Sequence, residues 1–256
     1  MLEELQLRIH GDAGLPTLVF LPGIHGDWTL VTSFRARLAG KVRFVEFTYP
    51  RTLTWSLEDY ARAVDAALAE HGITRAWVLG ESFSSQVAWA LLGLRDARFK
   101  ADGLILAGGF VRYPIPALVR MVKWFGRGAS LTWLTRLLYL YAKYARFRHR
   151  HAPETMASIR EFVARRTELD RQAIIHRMDL ILENDLRPVA RATRLPVFAL
   201  TGLLDPVVPW WLTLPWLRRN CPGLRATRII RPADHNVLGT APAEAARQVV
   251  EWMESS

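Results

Sequence analysis

The sequence predicts an α/β fold: a mostly parallel sheet, covered by helices on both faces and interrupted by an inserted helical cap. Short apolar runs alternate with helical patterns through the first hundred residues, and the alternation resumes after residue 191. Such strand–helix–strand units build parallel sheets through right-handed crossovers. Between the two halves, residues 112–191 carry helical patterns rich in Arg, Trp and Tyr, with no convincing strand. We interpret this block as the cap; the alternative is a second helical domain with a function of its own.

Length and composition fit one large globular domain with a substantial core. The chain has 256 residues, of which 50% are apolar and 23% charged, and this excludes collagen-like and disordered classes. We expect the core at 1–111 and 192–256. The single cysteine, Cys221, excludes an internal disulfide framework and a cysteine-rich zinc module. Because the first residues lack the basic and apolar regions of a secretory signal, we expect a cytoplasmic protein.

The individual elements follow from apolar periodicity and from turn residues. Buried or alternating apolar runs predict strands at 18–21, 42–47, 76–79, 104–107, 196–200 and 227–230. Apolar residues at helical spacing predict helices at 56–71, 83–94 and 243–253. The stretch from Leu195 to Leu217 contains Asp205 and four prolines, so we predict a buried strand followed by a loop rather than a membrane span.

The segment Gly80-Glu81-Ser82-Phe83-Ser84 lies between a predicted strand and a predicted helix. A nucleophile on so sharp a turn needs small residues two positions before and after it, because the backbone doubles back there. Gly80 and Ser84 meet this requirement, although Ser84 stands where a second glycine is usual. The turn predicts strained backbone at Ser82, with its hydroxyl at the carboxyl end of the sheet beside a helix N-terminus. The alternative is that Ser82 only caps the helix.

A serine hydroxyl becomes a useful nucleophile only beside a base, and that base needs an orienting acid. His235, after the last predicted strand, is the candidate base, and Asp205, after the strand before it, is the candidate acid. The chain order Ser82, Asp205, His235 is the one expected with such a turn. Asp234 is the alternative acid, but adjacent side chains in an extended loop point apart. No Asp or Glu lies between Gly103 and Pro153, which excludes an acid after the preceding strand.

Acyl chemistry also needs two backbone N–H groups that hold the developing oxyanion, and losing one typically costs about 3 kcal/mol. One should be the N–H of Phe83, directly after the serine. The other should lie in the loop after the first long strand. The Pro22-Gly23 turn favours Ile24 as this donor, whereas a functional His25-Gly26 pair would shift the role to Asp27.

These segments, in this order, resemble the α/β-hydrolase family, and more narrowly its cap-bearing carboxylesterases similar to the pimeloyl-carrier-protein methyl esterase. The resemblance extends from about Leu15 to Met253 and rests on Leu21-Pro22-Gly23, Gly80-Glu81-Ser82-Phe83-Ser84, Gly202-Leu203-Leu204-Asp205 and Asp234-His235-Asn236. It implies an eight-stranded, mostly parallel sheet. It also implies Ser82 as nucleophile, His235 as base and Asp205 as acid, with no metal or cofactor. Pro22 departs from the family pattern, because many relatives carry histidine there.

The implied function is a serine hydrolase that cleaves a carboxylic ester through an acyl-enzyme. Several alternatives stay open. The same acyl-enzyme could be passed to another acceptor by an acyltransferase, or the fold could serve a non-catalytic binding protein. Lyase and perhydrolase chemistries also occur on this fold.

Aromatic residues of the cap and of neighbouring loops are the candidate substrate contacts, and they favour an ester with an apolar acyl or aromatic part. They are Trp28, Trp124, Trp133, Tyr141 and Trp210. The alternative, that these residues pack the cap against the sheet, accounts for most of the apolar side chains in this part of the chain.

The formal charge of +10 is concentrated in the cap. Residues 112–191 contain 16 basic and 7 acidic residues, against 18 and 17 in the rest of the chain. This surface has two interpretations: a solvated arginine-rich face, or a contact for an acidic carrier protein or an anionic lipid surface. No nucleic-acid reader motif is present, so we expect no nucleic-acid partner.

Overall fold

A computed structural model describes residues 4–128 and 167–255, with single positions 140, 161 and 164 between those ranges. The strands in these ranges are β1 Gln6–His10, β2 Thr17–Leu21, β3 Arg43–Thr48, β4 Arg75–Glu81, β5 Lys100–Ala107, β6 Val197–Gly202 and β7 Leu224–Ile230. The helices are α1 Thr32–Leu38, α2 Leu57–Glu70, α3 Ser84–Gly93, α4 Pro116–Gly128, α5 Glu168–Glu183, α6 Arg187–Ala192, α7 Trp210–Asn220, α8 Val237–Thr240 and α9 Pro242–Glu254.

The strands form one sheet in the order β1-β3-β2-β4-β5-β6-β7. Strand β1 runs antiparallel to β3, and every other neighbouring pair is parallel. The predicted mostly parallel sheet is therefore confirmed. The eight strands implied by the resemblance become seven in the described part of the chain, because a single strand, β1, precedes β2 there.

Two apolar clusters, one on each face of the sheet, form the core. Strand β2 alternates between them: Val19 and Leu21 lie in the first cluster, Leu18 and Phe20 in the second. Helices α2 and α3 contribute to the first cluster, whereas α1 and α9 contribute to the second. This arrangement leaves the carboxyl ends of the parallel strands at one edge, where the loops that follow β2, β4, β5 and β6 meet.

The loop predicted after β6 contains helix α7, so that part of the prediction was wrong. Proline usually breaks a helix, but Pro209 immediately precedes this one, where no N–H is needed. Pro215 lies inside it and removes one hydrogen bond, while Leu214 and Leu217 pack into the first cluster and offset that loss. No helix within residues 4–128 and 167–255 is long and apolar enough to cross a membrane.

The described ends of the segment predicted as the cap are helical, as expected. Helix α4 lies at its start and packs against α5, and α6 packs against α3 of the core. Trp133 and Tyr141, two of the candidate substrate contacts, lie outside the described residues. The boundaries at 112 and 191 stay a prediction.

Candidate active site

The backbone turns sharply between β4 and α3, at Ser82. Its φ of 49° places it in the left-handed region, and within the described ranges it is the one non-glycine residue with a positive φ. The turn requires glycine two residues earlier, since a Cβ on Gly80 would lie 2.8 Å from the Ser84 carbonyl oxygen. Such backbone strain is typical of functional sites, where the surrounding structure enforces it.

Ser82, His235 and Asp205 form a hydrogen-bonded chain across the carboxyl edge of the sheet, which we call the relay. The Nε2 atom of His235 lies 2.8 Å from the Ser82 Oγ, and its Nδ1 lies 2.8 Å from the Asp205 Oδ2. Asp205 is itself fixed, because its Oδ1 accepts the backbone N–H groups of Val207 and Val208 at 2.8 and 2.9 Å. With a proton on Nδ1, the ring donates to the carboxylate and can accept from the serine.

The charges around His235 set its protonation. Burial lowers the pKa of the imidazole, but the hydrogen bond and charge of Asp205, with further charge from Glu81 and Asp234, outweigh burial. The pKa of His235 is therefore raised above its ordinary value. The imidazolium form is stabilised, as a base that must hold a transferred proton requires.

Asp234, the alternative acid, makes other contacts. Its Oδ1 accepts the backbone N–H of Asn236 at 2.9 Å and the hydroxyl of Thr240 at 3.2 Å, at the start of α8. The imidazole Nδ1 is instead bonded to Asp205. The structure therefore brings together the three side chains that the sequence proposed and leaves Asp234 beside them.

Gly108, which follows β5, is a site residue that sequence reasoning missed. Its φ is 55°, and a Cβ there would lie 3.1 Å from the His235 carbonyl oxygen and 3.2 Å from Nδ1. A larger residue would displace the imidazole from the relay. The signal was present in the sequence as Gly108-Gly109 directly after a predicted strand.

The loop of residues 22–26 follows β2 and lies against Ser82. A Cβ on Gly23 would come within 3.6 Å of the Ser82 Cβ, whereas one on Gly26 would meet the guanidinium of Arg177. Loop 22–26 therefore approaches Ser82 through its first half, which favours Ile24 over Asp27 as the donor on this side.

Phe83 follows Ser82 and is fully buried at the start of α3. In the part of the chain that the structure describes, the backbone N–H groups of Ile24 and Phe83 donate to no protein acceptor. Both donors are thus available to a ligand at Ser82.

Ser84, the residue that replaces a glycine, binds loop 22–26. Its hydroxyl donates to the carbonyl oxygen of Pro22, and the Tyr49 hydroxyl lies 2.7 Å from the Ser84 Oγ. Burial raises the pKa of Tyr49, so the phenol stays protonated and donates to Ser84. This departure from the family pattern therefore ties the nucleophile turn to the loop beside it.

Two further side chains hold the same loop at the next residues. The backbone N–H of Gly23 donates to the Glu81 carboxylate at 3.2 Å, and Arg177 on α5 donates from Nη1 to the Ile24 carbonyl oxygen at 2.8 Å. The sequence places Glu81 only in the turn, and no local pattern indicates Arg177, because its contact with Ile24 spans 153 residues of sequence.

Three of the candidate substrate contacts, Trp28, Trp124 and Trp210, lie within the described residues. Trp28 was expected to contact substrate, but it packs against the second apolar cluster of the core. The Arg8 guanidinium lies 3.7 Å from its ring centroid, so these contacts are structural. Trp124 is 71% exposed on α4. Trp210 packs on the first apolar cluster of the core, and its indole N–H donates to the Leu203 carbonyl oxygen at 3.2 Å.

Comparison with known proteins agrees with this architecture. Residues 18–249 match the alpha/beta hydrolase family. The fold is similar to an enol-lactonase from Burkholderia xenovorans (19% identity, 98% of this chain and 96% of that chain, TM-score 0.79). It is also similar to an esterase from Exiguobacterium antarcticum (15% identity, 98% of this chain and 96% of that chain, TM-score 0.79). A third similar structure is a hydrolase from Pseudomonas aeruginosa (16% identity, 98% of this chain and 94% of that chain, TM-score 0.80).

These identities are low enough that the three likenesses show the fold alone, and no curated protein sequence matches the chain. The family match, in contrast, extends over most of the sequence, from β2 to α9. The chain belongs to the alpha/beta hydrolase family.

Proposed function

We propose that this protein is a serine hydrolase that cleaves a carboxylic ester through an acyl-enzyme. The observation that carries the proposal is the relay: hydrogen bonds of 2.8 Å join Asp205 to His235 and His235 to Ser82, on a backbone strained at the serine. Membership of a hydrolase family supports it. The same geometry on unrelated folds activates serine for attack on carbonyl carbon.

In the first half of the reaction, His235 Nε2 takes the hydroxyl proton as the Ser82 Oγ attacks the ester carbonyl. The carbonyl oxygen becomes an oxyanion, which the backbone N–H groups of Ile24 and Phe83 stabilise. His235 then gives its proton to the departing alcohol, and the acyl group remains as an ester on Ser82. Asp205 keeps the ring in the productive tautomer and stabilises the imidazolium.

In the second half, His235 takes a proton from water as the water oxygen attacks the acyl carbon. The second oxyanion is held by the same two N–H groups, and its collapse breaks the bond to Ser82. His235 returns the proton to the serine oxygen, and the carboxylic acid leaves. Every proton is moved through one imidazole, so the proposal needs no metal or cofactor.

Apolar side chains beside the acid support a substrate with an apolar acyl or aromatic part. Leu203 and Leu204 directly precede Asp205 and are 40% and 48% exposed. The aromatic residues Trp133 and Tyr141 belong to the same proposal. The narrower likeness to pimeloyl-carrier-protein methyl esterase suggests a more specific substrate, an acyl group attached to an acidic carrier protein. Such a substrate has an apolar chain for the site and acidic residues for the basic segment 112–191.

The experiment is hydrolysis of p-nitrophenyl esters of increasing chain length by wild-type protein and by Ser82→Ala. We expect the variant to lose about 10⁴-fold or more in kcat. A fluorophosphonate probe should label wild-type protein at Ser82, and Ser255→Ala should behave as wild type in both assays. Equal hydrolysis by Ser82→Ala and wild type would refute the proposal.

The same assay separates hydrolysis from its alternatives. With added alcohol or thiol acceptors, a hydrolase yields mainly free acid, whereas an acyltransferase yields mainly the new ester or thioester. A protein that binds without catalysis would leave Ser82 unlabelled by the probe.

A further inference from the structure

Arg177, on α5, is a buried cation in contact with loop 22–26. It is 1% exposed, and it donates to the carbonyl oxygens of Ile24 at 2.8 Å and Pro50 at 3.0 Å and to the Tyr60 hydroxyl at 3.3 Å. The guanidinium carbon also lies 5.6 Å from the Tyr49 ring centroid, within range of a cation–π interaction.

The partners of Arg177 are neutral. No ion pair joins it to a carboxylate within residues 4–128 and 167–255. Burying a charge without an opposite charge costs stability, and an apolar residue of similar size is often the more stable choice. Packing alone therefore does not explain why an arginine is buried here. Its bonds to backbone carbonyl oxygens indicate instead that it fixes the position of the backbone.

Loop 22–26 is shaped around the guanidinium. Gly26 has a φ of 76°, and a Cβ there would lie 2.6 Å from the Arg177 Nη1 and 2.8 Å from its Cζ. The loop closes on itself as well, since the Gly26 N–H donates to the Gly23 carbonyl oxygen at 2.9 Å. Arg177 thus fills the space that the glycine leaves and fixes the carbonyl group of Ile24.

We propose that Arg177 is a positioning residue for the oxyanion donor of Ile24. By holding the Ile24 carbonyl oxygen, Arg177 fixes a residue in the half of loop 22–26 that approaches Ser82, and the N–H of this residue has no protein acceptor within the described residues. Without that contact, the loop can rotate the donor away from the oxyanion. This inference rests on the proposed function, because it assigns Ile24 a role in that reaction.

Two other contacts of α5 provide the control. Arg51 donates to the Asp170 carboxylate at 2.6 Å, and the His176 Nε2 lies 2.8 Å from the Trp55 carbonyl oxygen. Both dock α5 on the segment after β3 without touching loop 22–26. They separate the attachment of the helix from the contact with the loop.

The test compares Arg177→Ala, Arg177→Lys and Arg51→Ala, each checked for folding by circular dichroism and thermal unfolding. We expect Arg177→Ala to lower kcat by about 10- to 100-fold with little change in KM, because removal of a whole donor costs about 10²–10³-fold. Added guanidinium should restore part of the lost kcat of Arg177→Ala. The kcat of Arg177→Lys should lie between those of Arg177→Ala and the wild type. Arg51→Ala should keep the wild-type kcat.

Gly26→Ala provides a second route if Arg177→Ala fails to fold, since it displaces the guanidinium and keeps the charge. It should show the same kcat defect. Wild-type kcat in a folded Arg177→Ala or Gly26→Ala protein, or an equal loss in Arg51→Ala, overturns this inference alone. Absence of fluorophosphonate labelling at Ser82 in wild-type protein would instead contradict the proposed function.

A separate observation concerns helix α4, whose apolar residues face outward. On its inner side Val119 is buried and Lys123 pairs with Asp179 of α5. On its outer side, large apolar residues are exposed by 44% to 71%: Met121, Val122, Trp124 and Phe125. We call these four residues the α4 face. An apolar face of this kind marks an interaction site when it is surrounded by polar residues.

All charged residues of helix α4 itself are basic. They are Arg120, Lys123 and Arg127; Lys123 and Arg127 both pair with Asp179 of α5, Arg127 at 3.9 Å, whereas no ion pair is found for Arg120 within the described residues. The chain from 104 to 153 has nine Lys and Arg with no Asp or Glu. Helices that lie in a membrane interface combine Trp and Phe on one face with Lys and Arg at its flanks. The apolar residues enter the acyl boundary, and the cations meet the phosphates.

We further propose that the α4 face binds an anionic lipid surface. Charge complementarity argues for acidic headgroups, and the exposed Trp124 and Phe125 argue for a partner with an apolar interior rather than an acidic protein. This proposal is independent of the chemistry at Ser82.

The test is co-sedimentation with vesicles of phosphatidylglycerol and phosphatidylcholine, against vesicles of phosphatidylcholine alone. We expect binding to the anionic vesicles that weakens as salt rises, and a loss of at least about 10-fold in the Trp124→Ser/Phe125→Ser variant. Trp211→Ser is the matched control, because Trp211 is 55% exposed on α7. Absence of binding to anionic vesicles, or equal loss in the control, overturns the proposal.

Discussion

The relay and loop 22–26 meet at the same serine but are supported in different ways. Each relay residue lies just beyond the carboxyl end of a strand: Ser82 after β4, Asp205 after β6 and His235 after β7. The loop, in contrast, is held by side chains from β4, α3 and α5 and by the backbone N–H of Tyr49, after β3. Sheet topology brings the three relay side chains together, whereas the position of the backbone N–H groups in loop 22–26 depends on packing between distant segments.

The largest effect in this comparison should come from the relay. Asp205→Asn keeps the size of the side chain but favours the wrong imidazole tautomer, and we expect kcat to fall by about 10⁴-fold. Asp234→Asn is the matched control, since Asp234 bonds to Asn236 and Thr240. Steady-state kinetics of both variants measure the difference. Equal losses would mean that the acid of the reaction is not defined by the 2.8 Å bond to His235.

A smaller effect is expected from the bond between Ser84 and the loop. Ser84→Gly restores the usual family residue but removes the hydroxyl that binds the Pro22 carbonyl oxygen, so we expect kcat to fall by about 10-fold. Tyr49→Phe keeps that bond and removes only the hydroxyl that supports it, and should cost less. If Ser84→Gly is as active as wild type, the loop does not need this contact.

The smallest effect should be a shift of pH dependence. Because His235 must be neutral to accept a proton, kcat/KM rises with pH through its pKa, which lies above the ordinary histidine value. Glu81→Gln keeps an acceptor for the Gly23 N–H but removes a charge that raises this pKa. We expect the acid limb of the kcat/KM profile to move to lower pH. A shift to higher pH would contradict the electrostatic role of Glu81.

What the sequence could predict divides along the same line. The relay was predicted because each member follows a recognisable strand and a turn, and the order along the chain matched. Helix α7 was not predicted because Pro209 and Pro215 are residues that usually break helices. The structure shows that the packing of Leu214 and Leu217 in the core offsets the hydrogen bond lost at Pro215.

The supports of the loop lay beyond local sequence patterns. In the sequence, Arg177 cannot be distinguished from a solvent-exposed arginine on a helix. It is buried because α5 packs beside Gly26, a contact that only the folded chain shows. Trp28 was assigned to the substrate because aromatic residues near a nucleophile loop suit an apolar ligand. Its position on the opposite face of the sheet follows from the direction of the chain after Gly26, which no spacing rule determines.

The covalent intermediate is the quantity to measure for the proposed chemistry. Protein mixed with a slowly hydrolysed aryl ester and quenched within one turnover should carry one acyl group on the peptide that contains Ser82, found by mass spectrometry, and the adduct should be absent in Ser82→Ala. Turnover of the ester with no acyl adduct at any time, or with the adduct on another residue, would contradict the account.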